Sequence, residues 1–186
     1  MKKFLKIGEG VAVMPLLLAL QQKPYLWNQH TLRTAHEHTP HNEVDDIWLR
    51  FNALEGDVDR QDVLDQHESI NYPALAELPE ARQIIFNLMA YVQGERLGRV
   101  IITKLEPGKQ VYPHVDSGDH ADYYERFHVV LASAPGCLFY AGDEVVHMKP
   151  GEIWWFQNQA EHSVKNNGAT ERIHMIVDIR TGRSLV

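Results

Sequence analysis

Cysteine is nearly absent: Cys137 stands alone among 186 residues, which excludes an intramolecular disulfide and suits a reducing, cytoplasmic setting. Long apolar runs are missing too. The opening MKKFLKIGEGVAVMPLLLAL sets two lysines before apolar residues, in the manner of a signal peptide, but Gly8, Glu9 and Gly10 split the run and Pro15 interrupts the remainder. No small-x-small cleavage site follows, and the run falls short of the ~20 apolar residues that span a bilayer, so neither a leader nor a membrane partner is expected. Clusters of basic residues are also lacking. Lys and Arg number 18 against 25 Asp and Glu, a net charge of −7 with the cations scattered, which offers no footprint for a phosphate backbone and argues against a nucleic-acid partner. With no internal repeat or low-complexity linker, and 44% hydrophobic residues to fill one substantial core, residues 1–186 are expected to form a single domain.

What is present divides near residue 97. The first part reads as a strand near Phe4–Ile7, a helix from Pro15 to just before Pro24, and a helix opened by Pro79 with Ile84, Ile85, Leu88, Met89 and Val92 at helical spacing before Gly94. Between them, residues 28–46 are polar and hold His30, His36, His38 and His41 at spacings that do not repeat, which reads as a solvated loop. IWLRFN then alternates, with Ile47, Leu49 and Phe51 on one face and Trp48, Arg50 and Asn52 on the other, the pattern of a half-buried strand. Trp48 and Arg50 could there hold the apolar body and carboxylate of a substrate, although an ordinary surface face accounts for them as well. Residues 56–78 are acidic and loop-like.

From Gly98 the character is β. Eight short runs, GRVIITKL, QVYPH, YYERFHVVL, GCLFYAG, EVVHM, EIWWFQ, HSVKN and ERIHMIVDIR, are separated by turn signals such as Pro107-Gly108, Pro135-Gly136 and Asn167-Gly168. Eight antiparallel strands with at most one short helix among them imply two packed sheets or a closed barrel, and a jelly roll is the commonest such solution. The expectation is a mainly β fold of cupin-like, jelly-roll type at 98–180, with the strands, helices and loops of 1–97 buttressing it. Trp154 and Trp155 fall on opposite faces of one strand, one toward core and the other toward a pocket wall or the surface.

The β region carries the chemistry. His114 and Asp116 stand two apart where QVYPH runs out, so both project from one strand face, and one distant His would complete a facial His/Asp/His set that leaves the opposite coordination positions open. The pair is not unique, since His120 and Asp122 repeat it inside the following loop. The strand-end pair is favoured because a strand fixes geometry and a loop does not. For the third ligand His162 is placed best and His147 next. Behind His162 by ten residues comes Arg172, which shares a strand face with His174, opposite Ile173, Met175, Val177 and Ile179. Arg126 and His128 repeat that arrangement opposite Phe127, Val129 and Leu131. Two arginines on inward faces call for an anion, and a carboxylate held bidentately is the natural one, although Glu or Asp of neighbouring strands could pair with each arginine instead.

His114-x-Asp116, a distal His162 and Arg172 ten residues on resemble the signature of Fe(II)/2-oxoglutarate-dependent dioxygenases, whose fold is a double-stranded β-helix. RFHVVL followed by EHSVKNNGATERIHMIVD is similar, more narrowly, to the aspartyl/asparaginyl β-hydroxylase family over residues 98–180. The resemblance implies Fe(II) on His114, Asp116 and His162, 2-oxoglutarate carboxylates on Arg172 and His128 with Arg126 beside them, O₂ as co-reactant, and hydroxylation of an amino acid or peptidyl side chain with succinate and CO₂ as co-products. Vertebrate-type members of that family carry Gly where this chain has Asp116, so a complete triad is expected here. Two other readings stay open: a cupin-like isomerase or dioxygenase that binds its substrate directly to the metal, and a non-catalytic binding module on a jelly roll.

Overall fold

The computed structural model describes residues 2–54 and 67–182. Among the described residues there are eleven strands: β1 (Phe4–Gly8), β2 (Val44–Phe51), β3 (Ile70–Asn71), β4 (Gly94–Leu105), β5 (Gln110–His114), β6 (Glu125–Ala132), β7 (Cys137–Ala141), β8 (Glu144–Val146), β9 (Ile153–Phe156), β10 (His162–Asn166) and β11 (Arg172–Thr181). They form a seven-stranded sheet in the order β1-β9-β6-β11-β4-β2-β3 and a four-stranded sheet in the order β5-β10-β7-β8, with every pairing antiparallel. The eight runs expected from Gly98 onward are β4 to β11, and the two facing sheets are a double-stranded β-helix.

Each face of the large sheet has its own partner. Ile173, Met175, Val177 and Ile179 of β11 join Phe127, Val129 and Leu131 of β6 in one buried cluster. The helices Met14–Gln22, through Leu16, Ala19 and Leu20, and Pro79–Tyr91, through Ala81, Ile84, Ile85 and Leu88, cover it. The spacing of these residues is the apolar stripe of an amphipathic helix, and a proline in each first turn fits where no N–H is needed. The opposite face meets the small sheet through Val130, Phe139, Phe156 and Val164. Central strands of a sheet covered on both faces should be apolar throughout, yet β6 and β11 place Arg126, His128, Arg172, His174 and Asp178 on the inner face. Buried polar groups of this kind are retained only when partnered, which makes the space between the sheets the place to look for chemistry.

The N-terminal segment does more than buttress: β1, β2 and β3 are strands of the large sheet itself. β2 is also not half-buried, as its alternation suggested. Ile47, Trp48, Leu49 and Phe51 are all at most 2% exposed, because the strand lies between β4 and a second layer of side chains. A register shift against β4 between Trp48 and Arg50 moves Phe51 to the face of Trp48, on which it stacks with ring centroids 3.9 Å apart. One extra residue in a strand reverses the facing of everything after it. Of the acidic stretch read as loop, Ile70–Asn71 pairs with β2 and Pro73–Glu77 is a helical turn, while 55–66 lie outside the described residues. Gly98 is required where it stands, since a Cβ there would sit 2.9 Å from the ring of Tyr124.

Candidate metal centre and adjoining cavities

β5 and β10 pair so that His114 and His162 lie directly opposite each other, with ring centroids 4.2 Å apart. Each ring is fixed from behind: Nδ1 of His114 lies 2.8 Å from the carbonyl of Tyr112, and Nδ1 of His162 lies 2.9 Å from that of Ala160. A carbonyl only accepts, so both Nδ1 atoms carry the proton and both Nε2 lone pairs face forward. Asp116 follows β5 and is tied by its backbone N–H to the carbonyl of Asn158 at 3.2 Å. Its Oδ1 is 3.7 Å from His114 Nε2, and its Oδ2 is 3.9 Å from His162 Nε2. One ligand atom from each residue falls within 4.8 Å of the others. Burial lowers the pKa of both rings against the opposing pull of Asp116, that of His162 to about 4, so both are neutral and able to ligate near pH 7.

The carboxylate of Asp116 is oriented in turn. Arg126 Nη1 donates to Asp116 Oδ2, while its Nε and Nη2 donate to the two oxygens of Asp178 at 2.8 and 2.9 Å. Asp178 faces Arg126 across the β6–β11 pair and also accepts from His120 Nε2 at 2.9 Å. Burial alone would raise the pKa of Asp178, but Arg126 and His120 hold it well below the usual carboxylate range. The alternative metal set is therefore dispersed. His120 serves Asp178, Asp122 accepts from Gln159, and His147 bonds the carbonyl of Cys137 at 2.9 Å.

Behind the triad is a cavity lined by His114, His162, Arg126, His128 and Arg172 among others. Arg172 is 5% exposed. Its guanidinium lies 5.7 Å from the centre of the Phe139 ring, and Nη2 is 3.0 Å from His174 Nδ1. Among the described residues no carboxylate lies within 4 Å of it, and burial pushes its pKa down to about 10, against the opposing effect of Cys137. A buried cation without a counter-ion is costly, and the fit of this cavity is to an anion. A second cavity shares Arg33, His41, His114, Arg126 and Ile176 with the first and adds Asp116 and Arg99.

Several of these residues were not singled out by sequence reasoning. His41 is not a solvated loop residue: its ring meets that of His114 edge-on at 4.8 Å, and its Nδ1 is buried with no hydrogen-bond partner among the described residues. His30, from the same stretch, stacks on Trp48 at 5.1 Å. Arg33 pairs bidentately with the buried Asp46 at 2.8 Å, and the Nε of Arg99 donates to Asn52 at 2.7 Å. Only charged residues set within apolar strands, at Asp46, Arg99 and Asp178, could have pointed to them. Trp48 is 2% exposed, and Arg50 donates to the carbonyls of Gly98 and Ser69.

The family model described as aspartyl/asparaginyl beta-hydroxylase matches residues 19–181. The chain is 30% identical over 77 residues to an L-proline cis-4-hydroxylase of Rhizobium meliloti (strain 1021), which covers 41% of this chain and 28% of that protein. It is 31% identical over 106 residues to L-proline cis-3-hydroxylase 1 of a Streptomyces species, covering 55% and 35%. The match thus spans about a third of these relatives' length. Among solved structures, an oxidoreductase of the 2OG-Fe(II) oxygenase family from Burkholderia pseudomallei superposes with a TM-score of 0.56 at 14% identity, over 95% of this chain and 93% of that one. A prolyl hydroxylase from Trichoplax adhaerens, bound to a hypoxia inducible factor peptide, does so at 0.57 and 12%, over 96% and 84%. These likenesses are of fold.

Proposed function

We propose, because this chain belongs to the aspartyl/asparaginyl β-hydroxylase family and brings two histidines and a carboxylate together beside an uncompensated buried arginine, that it is an Fe(II)- and 2-oxoglutarate-dependent hydroxylase of an amino acid or peptidyl side chain. The donor set fits Fe(II). Two neutral imidazoles and one carboxylate on one side of a cavity are the facial triad that leaves positions open for other ligands, and the carbonyls behind both rings supply the orienting contacts that ligating histidines need. The observation that carries the cosubstrate is Arg172: its cavity lacks a carboxylate, and 2-oxoglutarate brings one at the far end from its metal-binding groups.

When bound, iron with 2-oxoglutarate and O₂ supplies the oxidation of a C–H bond to C–OH, with succinate and CO₂ as co-products. The rest falls to the chain. His114, Asp116 and His162 hold the metal, and Arg126 keeps Asp116 turned toward it while adding a positive charge beside the cosubstrate. Arg172 and His128 receive the cosubstrate carboxylate in the inner cavity, whose apolar walls exclude water. The outer cavity, open to Asp116 and bordered by Arg33 and Arg99, admits the substrate. The two L-proline hydroxylases among the relatives favour a free amino acid. We read 98–180 as the catalytic double-stranded β-helix and 1–97 as its support within one domain, and the location as cytoplasmic on the strength of the lone Cys137; among the described residues no helix is long and apolar enough to cross a membrane.

The test is anaerobic purification with Fe(II), then a succinate-release screen over free amino acids and peptides. Arg172→Ala should weaken 2-oxoglutarate by two to three decades or more, from the ~3–5 kcal/mol lost when one member of a buried ion pair is removed, and Arg172→Lys should rescue poorly because a point charge lacks the planar fork. Unchanged affinity in Arg172→Ala would favour the cupin-like alternative.

A further inference from the structure

We propose that His174 is the positioning residue of the inner cavity, its one lone pair holding Arg172 in the orientation that receives the far carboxylate of a 2-oxo diacid; this rests on the cosubstrate reading above. His174 does not line the cavity. It sits one strand alternation beyond Arg172 on β11, 1% exposed, where an apolar residue would pack without penalty.

Its hydrogen bonds explain its presence. Arg172 Nη2 can only donate, so His174 Nδ1, 3.0 Å away, must accept. A neutral imidazole that accepts at Nδ1 carries its proton on Nε2, and that atom is buried with no partner among the described residues. The protein thus leaves one nitrogen of His174 unsatisfied in its core and uses the other. The same Nδ1 lies 3.2 Å from Nδ1 of His128 on the adjacent strand β6. That single lone pair is occupied by Arg172, so His128 packs beside the contact and not on the same acceptor. Arg172, which lines the cavity, is therefore ordered by one atom behind it, and burial keeps the imidazoles of His128 and His174 neutral, with the charge of Arg172 acting in the same direction. A guanidinium pinned by one arm has its remaining N–H groups directed by geometry, so a carboxylate meets a prepared fork and not a mobile side chain.

The experiment compares His174→Phe, which keeps a ring and removes the acceptor, with His174→Asn, whose Oδ1 can replace Nδ1. Anaerobic calorimetry of the Fe(II)-loaded protein reads affinity for 2-oxoglutarate and for 2-oxopentanoate, which has the same length and lacks the far carboxylate. His174→Phe should weaken 2-oxoglutarate by roughly tenfold to a hundredfold, the span of a hydrogen bond to a charged group. Binding of 2-oxopentanoate should stay within about twofold, and His174→Asn should recover most of the loss. Equal losses for both acids, or none for 2-oxoglutarate, overturn the role of His174 while leaving the cosubstrate intact; a wild-type protein that binds no 2-oxoglutarate overturns both. Should His174→Phe fail to fold, nitrogen-15 NMR of the wild-type histidines decides: a protonated Nδ1 on His174 refutes the proposal, and an unprotonated Nδ1 that gains a proton in Arg172→Ala supports it.

Discussion

Replacing Arg126 with alanine should unfold much of what holds the site, well beyond the loss of one charge. Its guanidinium joins Asp116 and Asp178, and Asp178 is 1% exposed and accepts from His120 as well. Removing the arginine takes away the bidentate partner of a carboxylate buried in the core. Breaking a buried ion pair from one side costs about 3–5 kcal/mol, a large part of the ~5–15 kcal/mol that domains possess, and for a chain of this length it corresponds to a fall of roughly 6–20 °C in Tm.

Urea unfolding followed by tryptophan fluorescence measures this directly, with an unchanged slope confirming that the folded and unfolded states remain comparable. Asp116→Ala provides the contrast: it leaves the Arg126–Asp178 pair intact, so it should lose about 1 kcal/mol of stability and yet abolish Fe(II) binding. Arg126→Ala combined with Asp178→Asn should cost less than Arg126→Ala alone, because no charge is then stranded. A loss below about 1 kcal/mol in Arg126→Ala, or a double variant less stable than the single one, would refute the reasoning.

Two further outcomes follow from the same geometry. His128 and His174 have pKa values held well below 6.5, mainly by burial and then by Arg172; the folded state resists protons that the unfolded chain accepts, so their contribution is complete above about pH 6.5 and is lost as pH falls below it, at up to ~2.7 kcal/mol per pH unit for the two together. Urea midpoints of the metal-free protein between pH 7.5 and 5 should fall at least that steeply, since His41, His114 and His162 resist protons in the same direction, and Asp178 stays ionised throughout; a flat profile would mean that both rings take up protons in the fold as readily as in the unfolded chain. His162→Ala should eliminate Fe(II) binding by equilibrium dialysis while His120→Ala retains it; retention in the first or loss in the second would move the metal to the other His-x-Asp pair.

The strands from Gly98 onward were readable because their apolar residues alternate, and the same alternation exposed Arg126, His128, Arg172 and His174 as polar residues on what had to be an inner face. Strand position also separated His114 and Asp116 from His120 and Asp122. What could not be read is whatever depends on pairing register. Nothing in the stretch 28–46 announces that His41 reaches His114, because that proximity exists only once β2 has joined β4 with Asp46 opposite Thr103 and the small sheet has folded over them. Phe51 was assigned to the wrong face for a related reason: a bulge is invisible to a period-two count. Asp178 lies between these cases. It continues the inward series of Arg172 and His174, and a carboxylate at a position that is buried in a central strand demands a cation; of the arginines on inward faces, Arg172 stands several residues away on the same strand, whereas Arg126 lies on the neighbouring one. Alternation alone could therefore say that Asp178 needs a cation, while only the β6–β11 pairing, with Asp178 opposite Arg126, says which one, and with it that Arg126 supports Asp116 and that Arg172 is left without a carboxylate partner among the described residues.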